Sequence, residues 1–384
     1  MSRCAQHARH LHRWLLAPTL LLALLACCGC RTFSYYTQAI RGQYEILGKQ
    51  RSIARLVADP KTPPPLREKL QLVTSLRAFA AQELRLPVDG HYEKYADLHR
   101  RFVVWNVEAA PEFSLEAKTW WYPFIGSLKY RGYFTREAAV NYAATLQKQG
   151  YDVYLGGVTA YSTLGWFKDP VLNTFLYDPE AELAETLFHE LGHQRVFVGG
   201  DTDFNEAFAT AVGQEGARRW LRAKGDDAGL NDYLAQVRRT MQFAHLVKQT
   251  RKRLQILYGD EPNANGKLTA AKTPPASSPE QLWRRKQDLL DDMKQEYQAL
   301  KTQWGGISEY DPWFARPLNN AQLNSVASYY DLVPGFEKLL AENGGDLEQF
   351  YQAVETLSHE PKAERHRLLA GLAAQAIASA KTTR

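Results

Sequence analysis

The stretch that decides how this chain reads is His189-Glu190-Leu191-Gly192-His193-Gln194, followed by Phe204-Asn205-Glu206-Ala207-Phe208-Ala209. Histidines at i and i+4 share one face of a helix and can hold one divalent ion between them. The acid beside the first histidine is placed to act on a water at that ion. Around the motif, Ala184, Leu187, Phe188 and Leu191 supply the apolar contacts of a helix over 182–195. Gly199-Gly200 reads as its stop, and Asp201-Thr202-Asp203 offers N-caps for a second helix through Trp220. His193 stands about one turn before the break and Glu206 about one turn after it, each roughly 6 Å from the turn at ~1.5 Å per residue. An αα-hairpin therefore brings them level.

Helical phase selects the third ligand. Glu206 shares a face with Thr210 and Gly213, whereas Glu215 lies on the opposite side. The expected site is His189, His193 and Glu206 around one Zn²⁺ per chain, with an open fourth position and Glu190 as general base. Glu185, one turn before His189, reads either as an acceptor for a ligand histidine or as a solvated surface acid.

Working outward, 384 residues at 45% hydrophobic suffice for a sizeable core. The formal charge of +5 is small for that length, and no basic stripe with interleaved aromatics points to nucleic acid. All four cysteines (Cys4, Cys27, Cys28 and Cys30) fall at the N-terminus. The rest of the chain has no disulfide, no cysteine–metal site and no thiol nucleophile. There is also no Gly-x-Ser-x-Gly elbow for a serine nucleophile.

Arg3, Arg9 and Arg13 precede an apolar run from Trp14 to Ala26, which has the length of a secretory h-region rather than the about 20 residues of a spanning helix. The run ends in Leu24-Leu25-Ala26-Cys27-Cys28-Gly29-Cys30, which resembles the lipobox of bacterial lipoproteins. Cys30 is the preferred lipidated residue and Cys27 the alternative. Arg31, next in line, is not the aspartate typical of inner-membrane retention. The expected location is the bacterial cell envelope, lipid-anchored on the periplasmic side, at the outer membrane.

Residues 36–84 show helical spacing interrupted by Pro63-Pro64-Pro65, while 101–178 carry short aromatic and β-branched runs around a helix at about 135–149. From about 180 the chain is helical. Residues 232–257 and 280–304 read as two charged helices joined by the Pro-, Ala- and Ser-rich segment 259–279, a helical hairpin projecting from the body. The expected organisation is a signal peptide over 1–30 and a helical segment over 31–100. An α+β core with the metal site spans 101–225, the hairpin 226–305, and a helical segment completing the cleft 306–384.

The two motifs resemble the gluzincin peptidases, in particular the aminopeptidase N type, which joins H-E-L-x-H-Q to a downstream N-E-x-F-A. Here the gap between the second histidine and the glutamate is shorter, with 12 intervening residues. A wider resemblance is to a family of bacterial aminopeptidase lipoproteins. It is carried by Gly29-Cys30, Tyr35-Tyr36, Ala110-Pro111-Glu112, Tyr130-Arg131-Gly132-Tyr133-Phe134, Ala160–Phe167, Leu318-Asn319-Asn320-Ala321 and Tyr329-Tyr330-Asp331.

These resemblances imply an α+β fold: a gluzincin-like metallopeptidase core with a small sheet beside the histidine helix, surrounded by helices and the long hairpin. They imply a zinc-dependent aminopeptidase acting on peptides. A downstream tyrosine, Tyr330 or else Tyr310, would stabilise the oxyanion. A strand over Gly156–Trp166 would bind substrate backbone by strand addition, with Tyr161, Ser162 and Thr163 lining the groove. Glu112 is the candidate for holding the substrate's free ammonium, and Arg131 for a substrate carboxylate. Two other readings stay open: a cell-wall amidase or endopeptidase, and a non-catalytic lipoprotein that binds a partner through its helical arm.

Overall fold

The computed structural model describes residues 30–122, 126–160, 168–262, 268–269 and 278–382. Residues 1–29 of the expected leader (1–30), together with Tyr161, Ser162 and Thr163, lie outside the described residues. Contacts divide the chain into two units, Met1–Gly48 and Lys49–Arg384. The described part of the first is a helix, α1 (Cys30–Lys49), whose Tyr36, Ile40 and Tyr44 are exposed.

In the second unit, α2 (Pro64–Gln82) begins where the triple proline sits. Pro64 and Pro65 start this helix as well as interrupting what precedes them, because the first turn has no intrahelical use for their missing N–H groups. Leu70, Val73, Leu76 and Ala80 form its buried stripe.

A three-stranded antiparallel sheet follows, with β1 (Val104–Pro111) in the centre and β2 (Tyr130–Tyr133) and β3 (Tyr151–Val158) on its flanks. The helix α3 (Arg136–Gln147), capped by Thr135, joins the flanking strands and covers one face. Tyr142 of α3 lies against Tyr133 at 5.6 Å between ring centroids and under the Arg131 guanidinium at 5.0 Å. Arg131, the candidate for a substrate carboxylate, thus points to the face away from Glu108, its neighbour on the register. Opposed residues in such a sheet share a face, so Glu108 aligns with Tyr130 on one side and Tyr154 on the other. That face turns toward the functional site.

The helical part continues with α4 (Glu180–Arg195), α5 (Thr202–Lys224), α6 (Asp227–Tyr258) and α7 (Pro279–Gln303). It ends with α8 (Asn320–Tyr330), α9 (Val333–Glu342), α10 (Leu347–Ser358) and α11 (Lys362–Thr382). The fold is thus mixed α+β, mainly helical with small sheets, as the residue patterns indicate.

The long pair α6–α7 does not stand free. Phe243, Val247, Leu254 and Tyr258 of α6 join Leu290, Met293 and Tyr297 of α7 in one core with Leu323 and Val326 of α8. Burying each such side chain stabilises by about 1.5–3 kcal/mol, which outweighs any tendency of this hairpin to project.

Candidate metal centre

The residues 196–201 turn the chain between α4 and α5. Gly200 takes φ +81°, and a Cβ on Gly126 would come within 3.0 Å of the Gly200 nitrogen, so the neighbouring segment closes on the turn at backbone distance. Asn205, buried in the first turn of α5, accepts from Val198 N and donates to Val198 O, both at 2.8 Å. Asp201 is the N-cap residue of α5 but its side chain caps nothing. It is instead engaged by Arg365 (2.9 Å), His366 (2.9 Å) and Lys362 (3.1 Å), which tie α11 to the turn. These partners hold the Asp201 carboxyl below the usual carboxylate range in spite of its burial.

On α5, Phe204 and Phe208 pack outward on Phe336 of α9 at 5.2 and 5.7 Å. Glu206, about 200° away from both on the helix, is therefore directed back at α4. Glycines let the two helices approach. A Cβ on Gly213 would stand 2.7 Å from the Glu185 carbonyl oxygen and 3.1 Å from His189 Cβ. One on Gly216 would meet the Phe188 ring at 2.5 Å.

His189, His193 and Glu206 converge as a result. The two Nε2 atoms are 3.2 Å apart, and Glu206 Oε2 lies 3.4 Å from His189 Nε2 and 3.7 Å from His193 Nε2. Four ligands at ~2.0–2.1 Å in a tetrahedron are roughly 3.3 Å from one another. The three donor atoms thus fit a common ion closely. A second group of ligand-type residues, Asp201, Asp203 and His366, also exists. Lys362 and Arg365 already neutralise Asp201, and Lys129 holds both oxygens of Asp203 at 2.7 and 2.6 Å, so it reads as an ion-pair cluster.

The surroundings of the triad are acidic and buried. Burial pulls His189 below its ordinary pKa against the opposing pull of Glu206. Burial also disfavours protonated His193, but Glu206 outweighs it and leaves that imidazole raised. The Glu206 carboxyl, also penalised by burial, is brought down to about 2 chiefly by His193 and His189. Glu190 is buried and pushed up to about 8 by that burial, with Glu206 and Asp169 adding to the rise and His193 opposing it.

Behind Glu190, Asp169 accepts from Tyr92 N at 2.8 Å, and its carboxylate lies 3.7 Å from His91 Nδ1. Tyr92 has the left-handed φ of +57°, which costs a non-glycine residue on the order of 1 kcal/mol or more.

Thr210 Oγ1, one turn after Glu206, lies 3.5 Å from His189 Nδ1. Glu185 is neither the histidine's acceptor nor a solvated acid: it accepts a 2.8 Å bond from Tyr233 and is raised to about 7 by burial.

Other expected residues are placed elsewhere. Tyr329, rather than Tyr330, meets the site: its ring lies over His189 at 6.4 Å between centroids and 24° between planes, and Glu206 and burial raise its pKa. Tyr330, one residue and about 100° further round the helix, is buried toward Glu185 and Tyr310. Tyr310 itself stacks on Phe243 at 4.0 Å and donates to Thr240.

Glu112 is exposed beside the N-terminal end of α8, where its carbonyl accepts from Asn320 Nδ2 (3.0 Å) and Lys286 (2.8 Å). Tyr329 sits at the other end of that helix, about 13–15 Å away at 1.5 Å per residue. Another acid, Glu108, lies within the field of Glu206. It is partly exposed and raised to about 8 by burial, with Lys129 opposing and Glu206 adding to the rise. The motifs of the sequence do not single it out; the sheet register shows that it stands in line with Tyr130 and Tyr154.

The free edge of β3 is partly closed. Arg316 donates to Leu155 O at 2.9 Å and Asn319 to Val153 O at 3.1 Å, which takes two acceptors that an added strand would need. Among the described residues no helix is long and apolar enough to cross a membrane.

Fold and site define an α+β protein whose paired helices present two histidines and a glutamate as a group that can hold a metal ion. The family described as "Putative aminopeptidase" matches residues 34–369, and the chain belongs to that family. Neither the curated proteins nor the solved structures include a match to it.

Proposed function

We propose that this chain is a zinc-dependent metallopeptidase with a gluzincin-like core, acting as an aminopeptidase. The observation that carries this reading is the near-tetrahedral spacing of His189 Nε2, His193 Nε2 and Glu206 Oε2, with Glu190 buried next to them. Two neutral imidazoles and one carboxylate form a donor set suited to Zn²⁺, with room for a fourth ligand. Held by these three residues, a zinc ion would supply Lewis-acid activation of the attacking water and of the scissile carbonyl.

The protein's own groups do the remaining work. Glu190, in its carboxylate form, would take the proton of the attacking water and return it to the leaving amine, its proton affinity being raised by burial. Tyr329, raised above its ordinary pKa and therefore protonated at neutral pH, offers its O–H to the developing oxyanion. This is the role that the gluzincin resemblance implies for Tyr330, or else Tyr310. Thr210 orients His189 through Nδ1, fixing which nitrogen is free to ligate. Asp169, Tyr92 and His91 form the wall behind Glu190.

The lipobox at Cys30 (or Cys27) would attach the enzyme to the bacterial outer membrane on its periplasmic side, with peptides in that compartment as substrates and no nucleic acid as partner. The packing of α6–α7 into the core argues against the reading in which those helices serve as a binding arm.

The test is a peptide-library digest with zinc-loaded wild type and Glu190→Gln, alongside metal analysis. The expected result is cleavage by wild type at free N-termini and loss of most activity with about one zinc retained in the variant. Turnover of muropeptides without peptide cleavage would replace the proposal with a cell-wall hydrolase.

A further inference from the structure

The first unit of the chain holds a helix face that the peptidase chemistry does not use. Along α1, Tyr36, Ile40 and Tyr44 recur at steps of four and are 39%, 56% and 70% exposed. At about 100° per residue they fall within an arc of roughly 80°. Ser34, Thr37, Arg41 and Gly48 are also exposed and widen that arc to one side. Gly42 and Ile46 are buried and stand on the opposite side of the helix. The exposed arc therefore carries three large apolar or aromatic side chains, one cation and no acid.

The position of Cys30 gives this face a meaning. Cys30 is the first residue of α1, and by helical phase it falls inside the same arc, between Thr37 and Arg41. Cleavage at the lipobox before Cys30 would attach the acyl chains there. Tyr36, Ile40 and Tyr44 follow at about 9, 15 and 21 Å along the axis. An anchor and an apolar stripe on one face of one helix meet the same plane when the helix lies along that plane. An upright helix would leave the stripe in water beside the lipid. α1 does not cross the bilayer instead, because no described helix is long and apolar enough to do so. Tyrosine suits the boundary, with its ring toward the acyl chains and its hydroxyl among the headgroups. Arg41 complements anionic headgroups.

We propose that α1 lies flat on the bilayer that receives the lipid at Cys30, with Tyr36, Ile40 and Tyr44 seated at the boundary of headgroups and acyl chains. The inference rests on the lipid-anchor reading above and adds a surface to it. An acyl anchor tethers the chain at one point, whereas a helix held along its length also sets the direction in which the chain leaves the membrane after Lys49.

The experiment uses the fact that the chain after Cys30 has no cysteine. Ile40→Cys and, as control, Ser75→Cys on the exposed side of α2 are expressed with the leader and labelled with bimane. Each is reconstituted in phosphatidylethanolamine–phosphatidylglycerol vesicles, and mass spectrometry reads the acylation of Cys30. Brominated lipids should quench the label at position 40, whose emission shifts to the blue, and leave the label at position 75 unchanged. Flotation of the mature chain carrying Cys30→Ser, which cannot be acylated, reads the face alone. Tyr36→Ser, Ile40→Ser and Tyr44→Ser together should lower its partitioning at least about tenfold. Arg41→Gln should lower it about fivefold on these vesicles and not on phosphatidylcholine.

An unquenched label at position 40 on the acylated protein, which needs no variant of the stripe beyond the label itself, would overturn the proposal. So would equal partitioning of the Cys30→Ser chain with and without the three serine substitutions. A dimer in vesicle-free solution that those substitutions dissociate would overturn it in favour of a face between two copies of the chain. Vesicle binding through the face by a chain whose Cys30 is never acylated would sink the anchor reading and leave the surface helix standing.

Discussion

Asn205 and Val198 exchange two hydrogen bonds of 2.8 Å, and this reciprocal pair closes the turn from which both metal-bearing helices depart. The residue after Asn205 is Glu206, so the side chain that closes the turn and the one that faces the histidines are covalent neighbours. A shift of the turn is transmitted to Glu206 without any intervening flexible bond of the backbone loop. The Asn205-Glu206 pair therefore combines a structural with a chemical function.

Replacing Asn205 by Ala leaves the half-buried Val198 N and O without their partner, at a cost of about 1–2 kcal/mol. Zinc affinity should fall together with stability, because the position of Glu206 depends on the turn. Chemical denaturation and metal titration on the same preparation check this. Weakened stability with unchanged zinc affinity would show that Glu206 is held by its helix alone.

Gly213→Ala should be more damaging than its chemistry suggests. The added methyl lies 2.7 Å from a backbone oxygen of α4, which cannot rotate away, so the helices must separate at an overpacking cost of about 1–3 kcal/mol. Weaker zinc binding is expected. Gly371→Ala is the control: an added Cβ there meets nothing within 4 Å, and exchanging helical glycine for alanine stabilises by up to about 1 kcal/mol.

Glu185 gives a pH signature. Its carboxyl is pushed up to about 7 by burial, against about 4.3 in an unfolded chain. The folded state therefore holds the proton more tightly. The Glu185 contribution is most favourable below about pH 4.3 and is lost as pH rises through about 7. Glu185→Gln keeps an acceptor for Tyr233 but has nothing to ionise, so the stability difference, variant minus wild type, should grow between those pH values and level off above them. Urea unfolding across that range measures it. A difference independent of pH would mean that Glu185 ionises in the folded protein as it does in the unfolded one.

Zinc removal should act on stability as well as activity. With the ion gone, two imidazoles and an acid remain packed with donor atoms 3.2–3.7 Å apart. Chelation should lower the unfolding midpoint, and zinc added back should restore it in proportion to the logarithm of its free concentration. Glu206→Gln should blunt this response. A melting curve indifferent to chelator and to zinc would count against a metal at this site.

Much of this was present in local patterns. The helix expected over 182–195 is observed as Glu180–Arg195, and the pair expected over 232–257 and 280–304 as Asp227–Tyr258 and Pro279–Gln303. The metal triad was legible because its three residues sit on two consecutive helices joined by a short turn, so phase and rise alone bring them together. The other site residues depend on elements far apart in sequence. Tyr329 and Tyr330 differ by one step of helical phase, and which of them meets His189 depends on how α8 lies against α5 and the sheet. Glu108 lies within β1 and Glu112 just past its end, and only the packing of the sheet and of α8 against the helices sets where each stands relative to the triad.

By itself, then, the sequence determined the two metal-bearing helices and the convergence of His189, His193 and Glu206, because each follows from interactions spanning fewer than about 20 residues at fixed helical geometry. The caps differ: the first of these helices ends at Val196 rather than at Gly199-Gly200, and the Asp201 side chain caps nothing. Tertiary structure alone decided that Tyr329 lies over His189, that Glu185 accepts from Tyr233, and that the long helical pair is packed into the core. The reason is that burial and cross-strand register are set by the summed packing of distant segments, which no local pattern encodes.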